Sequence, residues 1–281
     1  MRADLHVHSN ASDGTDPPAE VMSRAARAGL DVVALTDHDT VAGHAQARRA
    51  LPESLILVPG MELSSRLEDR SLHLLAYLFD PDDPDLAAET ARIRDDRVLR
   101  ARAMVDRLID LGVPITWDDV AAIAGSAVVG RPHIARAMAA SGAIASPDQA
   151  FTTDWIADGG RAYVDRYALE PTRAIGLVRA AGGVAVIAHP RANRDLLVTD
   201  EQIAGLAAAG LAGVEVFHPD QPEAEQASLL GLTRDLGLIA TGGSDDHGRL
   251  TGHRIGSYTA APGAYESLIA QATGSQPVRS G

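Results

Sequence analysis

Ten histidines and a matching set of carboxylates in this 281-residue chain stand at spacings that suit cation ligation. His6 and His8 are two apart, so on a strand both imidazoles face one side and can reach a single ion. Asp13 follows in Ser-Asp-Gly, a turn able to fold it back over the strand end, although an ordinary turn aspartate reads the same way. Asp37 and His38 lie in the Thr-Asp-His-Asp of residues 36–39, which is also the pattern of a polar strand exit with a helix cap. Asp37 and Asp39 are placed to orient neighbouring imidazoles by accepting from the ring N–H that a metal leaves free. Glu62, His73, His189, His218, Asp245 and His247 complete the set.

A single His on an apolar strand is more often a hydrogen-bonded core residue than a ligand. Here seven of the ten fall on strands or strand exits. Imidazoles and carboxylates crowded together repel, or stay unpaired, unless cations lie between them. The chain has no Cys, which excludes disulfides, thiolate metal sites and a Cys nucleophile and leaves N and O as metal ligands. His44 and His253 lie outside the pattern and read as surface or structural residues.

Seven short apolar runs can carry these residues: 2–7, 31–36, 55–59, 71–78, 184–188, 213–217 and 238–241. They alternate with Ala-rich helical stretches, the signature of βαβ units and a parallel sheet. His6 and His8 close the first run, Asp37 and His38 the second, Glu62 lies just past the third, and His73 lies in the fourth. His189 caps the fifth, His218 the sixth, and Asp245 and His247 follow the seventh. In closed α/β barrels the C-terminal strand ends converge, so residues distant in sequence would meet there. Helix signals include Thr15 or Asp16 as a cap before Pro17 with Gly29 as stop, and Thr199 or Asp200 before a run ending at Gly210. Residues 81–165 break the alternation with a long Arg-rich amphipathic pattern over 85–111 and shorter helices around Trp117, Arg131 and Pro147. The expectation is an α/β fold: a barrel over 1–80 and 166–281, an inserted helical domain over 81–165 entered through Pro-Asp-Asp-Pro, and a disordered tail from Thr273.

Hydrophobic residues make up 46% of the chain but aromatics only 4%, so the core must be built from Ala, Val, Leu and Ile. No apolar run approaches the roughly 18 residues that cross a bilayer, and the start MRADLHVHSN offers no apolar signal segment. A cytoplasmic protein without membrane attachment is expected. The net charge of -13 argues against a broad face for long duplex nucleic acid. All 25 basic residues are Arg, so any phosphate clamp must be a guanidinium fork.

The segments DLHVHSNASDG, ALTDHDT, PGMELS, HLLAY, AHP and GGSDDHG, in that order, resemble the motifs of the polymerase and histidinol phosphatase (PHP) superfamily of metal-dependent phosphoesterases. Gly-Arg-Pro-His at 130–133, inside the insertion, resembles the branch acting on nucleoside monophosphates and 3',5'-bisphosphates. The resemblance implies a distorted seven-stranded (β/α)7 barrel and up to three divalent ions. His6, His8, Glu62 and Asp245 would hold the first; Glu62, His73 and His189 the second; Asp13, His38 and His247 the third. Some relatives have a His where Asp13 stands. Mn is favoured by resemblance, and Fe or Zn suits the same N and O donors.

The implied chemistry is hydrolysis of a small nucleotide phosphomonoester, with trimming of short RNA ends, by in-line attack of a metal-bridging hydroxide. Three divalent ions bring about +6 and Asp13, Glu62 and Asp245 bring -3, and the remainder meets a phosphate dianion and a hydroxide. Asp13, Asp37, His38 and His247 are the candidate catalytic groups. Arg131 and His133 are candidates for phosphate contact, although an Arg opening a helix before Pro reads equally as a plain helix start. His218, Arg191 and Arg194 are further candidates for substrate contact. Two other readings remain: a phosphatase for a metabolite such as histidinol phosphate, and a metal-stabilised interaction module. So many ligands around an open position count against the second.

Overall fold

The computed structural model describes residues 1–68, 70–125, 127, 129–165, 167–192 and 197–280. The chain divides into two compact units, Met1–Thr90 with Ala168–Gly281, and Ala91–Tyr167.

In the first unit β1 (Ala3–Val7), α1 (Pro18–Arg27), β2 (Val32–Leu35), α2 (His44–Arg49), β3 (Ile56–Leu67) and β4 (Arg70–Tyr77) lead into α3 (Pro84–Asp110). The second unit contains the rest of α3, α4 (Trp117–Ala124) and α5 (Arg131–Ala140). The chain returns through α6 (Pro171–Ala180), β5 (Val184–Ile187), α7 (Asp200–Ala208), β6 (Gly213–Phe217), α8 (Glu223–Leu236), β7 (Ile239–Gly242), α9 (Ala264–Gln271) and β8 (Val278–Arg279).

Strands β1 to β7 neighbour one another in chain order, forming a nearly closed seven-stranded barrel. β2 and β5 are Val-Val-Ala-Leu and Val-Ala-Val-Ile with every residue buried, as expected of strands covered on both faces. Their β-branched side chains suit a pleated surface and disfavour helix. Between β7 and β1 the seam is closed by the residues just past β7: the Asp245 N–H donates to the His6 carbonyl at 2.8 Å and the His8 N–H to the Asp246 carbonyl at 3.0 Å. A side chain at Gly243 would meet His6 Cβ at 2.4 Å, so this close approach needs glycine.

The sheet is not wholly parallel. β4 pairs antiparallel with both β3 and β5, while β1–β2, β2–β3, β5–β6 and β6–β7 are parallel. β3 is also longer than its apolar run, at 12 residues, so Glu62 lies inside the strand rather than past it. Residues 273–280 are held in place, contrary to expectation. The Thr273 and Gly274 N–H groups donate to the Gly182 carbonyl, and β8 adds to β3 through Leu57↔Val278 and Ile56↔Arg279.

α1 begins at Pro18 and is capped by Pro17 rather than by Thr15 or Asp16, because a residue before proline is held extended, here at ψ 151. Asp16 instead binds Arg24 at 2.6 Å. α7 starts as its sequence suggests, with a Thr199–Gln202 capping box. The core is aliphatic: Leu5, Val32, Val58, Leu75, Val186 and Ile239 join the strands, and Val21, Met22 and Ala25 of α1 pack on Val33 and Leu35. The second unit has its own core around Met104, Leu108, Val120, Ile134 and Met138. Among the described residues no helix is long and apolar enough to cross a membrane.

Candidate metal centre

The alternating faces of β1 put His6 and His8 on one side, both buried. Their Nε2 atoms lie 3.0 Å apart. Glu62 Oε2 is 3.2 Å from His6 Nε2 and 3.1 Å from His8 Nε2. Asp245 Oδ1 is 3.3 and 3.2 Å from the same two nitrogens. Ligands about 2.0 to 2.2 Å from a shared ion lie about 3 to 3.5 Å from one another, so these four donors have the spacing of one coordination sphere.

Glu62 serves a second donor set through its other oxygen. Oε1 lies 2.7 Å from His73 Nδ1 and 3.2 Å from His189 Nε2. In the β3–β4 ladder Glu62 faces Leu75 and Ser64 faces His73, so Glu62 and His73 are diagonal neighbours on one face. His189 reaches the cluster from a left-handed backbone with φ 27, an uncommon conformation that its N–H bond to Glu215 at 2.9 Å helps to hold. A third set forms around Asp13, which lies 3.2 Å from His247 Nε2, 3.7 Å from His38 Nε2 and 3.8 Å from His8 Nδ1. His247 Nδ1 lies 3.1 Å from the Asp245 carbonyl, the position in which an N–H there leaves Nε2 free as a ligand.

The electrostatics of the cluster fit cations. Burial pushes the His8 imidazole down, but Asp245 and Glu62 outweigh it and hold the ring up at about 10. Burial likewise depresses His6, and Glu215, Asp245 and Glu62 together raise it well above the ordinary range. Burial raises Glu62, yet His38, His73 and His6 hold it well below the usual carboxylate range. Burial lowers His38 to about 3, leaving a neutral ring able to ligate. Asp245 Oδ1 is buried without a hydrogen-bond partner, as expected of an atom that binds a cation. The donor chemistry, imidazole nitrogen and carboxylate oxygen, suits divalent ions. His6, His8, Glu62 and Asp245; His38, Glu62 and His73; and His8, Asp13, His38 and His247 each bring donor atoms close enough together to share one.

Other sequence candidates fall in different places. Asp37 accepts from the Ser9 N–H at 2.8 Å and from the Ser9 and Ser12 hydroxyls at 2.7 Å, so it holds the loop that carries Asp13 rather than an imidazole. Asp39 accepts from the Ser64 N–H and hydroxyl of β3. His218 joins the cluster with Nε2 3.3 Å from Asp245 Oδ2, its Nδ1 accepting from the Asp220 N–H. Arg191 is buried, and its guanidinium binds Glu225, Ser228 and Asp200 on α7 and α8. Arg194 lies outside the described residues. Arg131 and His133 open α5 in the second unit. Arg131 Nη1 bonds Asp158 at 2.7 Å and the Ile156 carbonyl at 3.2 Å, and His133 Nδ1 accepts from the Gly130 N–H. His44 bonds the Gly60 carbonyl, and His253 is exposed beside Asp16.

Three participants were missed in the sequence. Glu215, fully buried, lies 3.0 Å from His6 Nδ1 and fixes that ring so that Nε2 faces the cluster. Its signal was a lone carboxylate in the otherwise apolar strand Gly-Val-Glu-Val-Phe. Asp4, raised by burial to about 6, accepts from the N–H groups of His6, Ser244 and Gly256, tying β1 to the segment after β7. Arg254 bonds Asp220 and the Asp245 carbonyl, and nothing in its local sequence marks it.

Known proteins resemble this chain over most of its length. Residues 4–93 match the PHP domain. The chain is 34% identical to a 5'-3' exoribonuclease of Haemophilus influenzae over 249 residues, 87% of this chain and 89% of the relative. It is 33% identical to a 3',5'-nucleoside bisphosphate phosphatase of Chromobacterium violaceum over 262 residues, 89% of this chain and 90% of the relative. Among solved structures, an inferred metal-dependent phosphoesterase of Bifidobacterium adolescentis matches at a TM-score of 0.88 and 34% identity, covering 96% of each chain.

Proposed function

Because the chain belongs to the PHP domain family of metal-dependent phosphoesterases, we propose that it hydrolyses phosphomonoesters of small nucleotides, a nucleoside 5'-monophosphate or 3',5'-bisphosphate, and trims short RNA ends. The observation that carries this reading is Glu62, whose two oxygens face two separate donor sets, a bridge suited to adjacent cations. Two relatives, a nucleoside bisphosphate phosphatase and an exoribonuclease, support a nucleotide or RNA end as substrate.

In this proposal His6, His8, Glu62 and Asp245 hold one cation, Glu62, His73 and His189 a second, and Asp13, His38 and His247 a third. Mn is favoured, with Fe or Zn compatible with the same donors. Bound there, divalent ions supply Lewis-acid charge and lower the pKa of water. The protein's own groups orient and restrain. Glu215 fixes the His6 ring, and Asp37 holds the loop bearing Asp13. His218, with Nδ1 accepting a backbone N–H, carries its proton on Nε2, which donates to Asp245 Oδ2 at 3.3 Å or, in its place, to a phosphate oxygen.

Arg131 and His133 are the insertion's candidates for a phosphate. Both bonds of Arg131 use Nη1, leaving the rest of the fork for an anion. Arg100 beside it is depressed to about 10 by burial and by the charges of Arg131 and Arg97, a crowding of guanidinium groups that an anion relieves. A cytoplasmic setting follows from the substrate class proposed.

A panel of AMP, adenosine 3',5'-bisphosphate, histidinol phosphate and a 5'-phosphorylated short oligoribonucleotide, assayed on protein of measured metal content, tests the reading. Nucleotides should exceed histidinol phosphate at least tenfold in kcat/KM. Prolonged chelation should abolish turnover and added Mn restore it. A preference for histidinol phosphate overturns the substrate assignment, and full turnover in verified metal-free protein overturns the metal assignment.

A further inference from the structure

Outside the metal centre the first unit contains a cavity of about 560 Å3, between α2, β3, the residues after β4 and the C-terminal strap that ends in β8. That volume lies within the roughly 300 to 1,000 Å3 of small-molecule sites. Its lining includes no carboxylate residue but two guanidinium groups, Arg48 and Arg279, in a chain of net charge -13. Neither guanidinium has a carboxylate partner among the described residues, whereas Arg24, Arg131, Arg173, Arg191 and Arg254 are all paired. Leu57, Pro59 and Phe79 supply an apolar wall. Ser275 also lines the cavity, and its hydroxyl is buried with no hydrogen-bond partner.

The strap that closes the cavity is fixed at both ends. The Ser275 N–H donates to the Leu78 carbonyl at 2.7 Å, and β8 pairs with β3. The cavity is therefore a built feature of the folded chain and not a gap beneath a loose terminus.

We propose that this cavity is a second binding site for a small organic anion, a phosphonate, phosphate or carboxylate on an apolar or ring-shaped body. The two guanidinium forks take the anionic group, which they match bidentately. Leu57, Pro59 and Phe79 take the body. Phosphate and carboxylate share this chemistry, and the probes below separate them. The inference stands apart from the reading of the metal centre, because none of the metal-donor residues lines the cavity.

Isothermal titration of the metal-loaded protein provides the test. The probes are phenylphosphonate, whose carbon–phosphorus bond resists hydrolysis, benzoate, inorganic phosphate and benzyl alcohol. At least one of the two ring-bearing anions should bind to a site that the Arg48→Ala/Arg279→Ala variant loses or weakens at least tenfold. Inorganic phosphate and benzyl alcohol should show no such variant-sensitive binding. Both arginines are exposed, so the variant should keep its fold, checked by circular dichroism, and its kcat/KM on a phosphomonoester within twofold. If that variant is misfolded, each single substitution is titrated in its place. Ring-bearing anions that bind nowhere but the metal centre, or isotherms identical between wild type and variant, overturn the proposal. Neither result depends on turnover, so failure here is distinct from failure of the metal-centre reading.

Discussion

Glu215→Gln isolates the orientation of one metal donor from its identity. Oε1 lies 3.0 Å from His6 Nδ1, and Oε2 lies 3.2 Å from the same nitrogen and 2.9 Å from the His189 N–H. A glutamine has one oxygen for these contacts. Placed at Oε2 it still serves the His189 N–H but turns its NH2 toward His6 Nδ1; placed at Oε1 it serves His6 and turns its NH2 toward the His189 N–H. In the first placement a donor faces a donor unless His6 changes tautomer, which puts a proton on Nε2; in the second the NH2 opposes the His189 N–H whatever the His6 tautomer. Replacing a hydrogen bond to a charged group, about 1.5 to 3 kcal/mol, with a neutral one of about 0.5 to 1.5 kcal/mol removes about 1 to 1.5 kcal/mol, and the mismatched donor adds to this loss. The expected fall in Mn affinity is about 10- to 100-fold, the range for residues that orient metal-binding histidines. Titration with chelator-buffered Mn measures it, and kcat should recover substantially at saturating metal. A folded variant whose Mn affinity changes by less than twofold refutes the role assigned to Glu215.

Asp37→Ala removes the acceptor of three bonds that hold residues 9–12, so Asp13 should lose its position and elemental analysis should find less bound metal, with His6, His8, Glu62 and Asp245 still loaded. Arg191→Ala breaks the bonds of a buried guanidinium to Glu225, Ser228 and Asp200 and should lower stability by about 1 to 3 kcal/mol in denaturant melts, with kcat/KM changed less than threefold. A large loss of kcat/KM with unchanged stability would instead assign it to substrate. Arg131→Ala should lower kcat/KM for nucleotides about tenfold or more, the loss of a charged hydrogen bond, and unchanged kinetics would remove Arg131 from the substrate.

Much of the fold was legible because its strands are short β-branched runs between Ala-rich helices. β6 begins and ends where its apolar run does. The site was legible for a related reason: a polar donor at the end of an apolar strand has few structural explanations, and the residues from His6 to His247 repeat that pattern. The direction of β4 was not recognised, although a signal existed. Only 11 residues separate the apolar runs 55–59 and 71–78, fewer than a parallel crossover requires. In the structure Leu67 pairs antiparallel with Arg70, and Glu68 adopts φ 55 just after β3. Glu215 and Asp4 are not marked in the sequence, because a carboxylate within a strand reads as surface alternation until its burial is known. The tail could not be read as ordered, because its bonds go to Gly182, Leu78 and β3, all distant in sequence.

The reversed strand is also what makes the bridging carboxylate work. Antiparallel pairing of β3 with β4 sets Glu62 and His73 diagonally on one face, and β4 then passes His73 beside β5, at whose end His189 stands. Glu62 can therefore turn one oxygen toward His6 and His8 and the other toward His73 and His189. A shift of the β3–β4 register by one residue would send the His73 side chain to the opposite face and strip the second donor set, while leaving His6, His8 and Asp245 in place. Assembly of the second donor set thus depends on hairpin geometry, whereas the first depends on the β1–β7 seam, so the two can be lost separately.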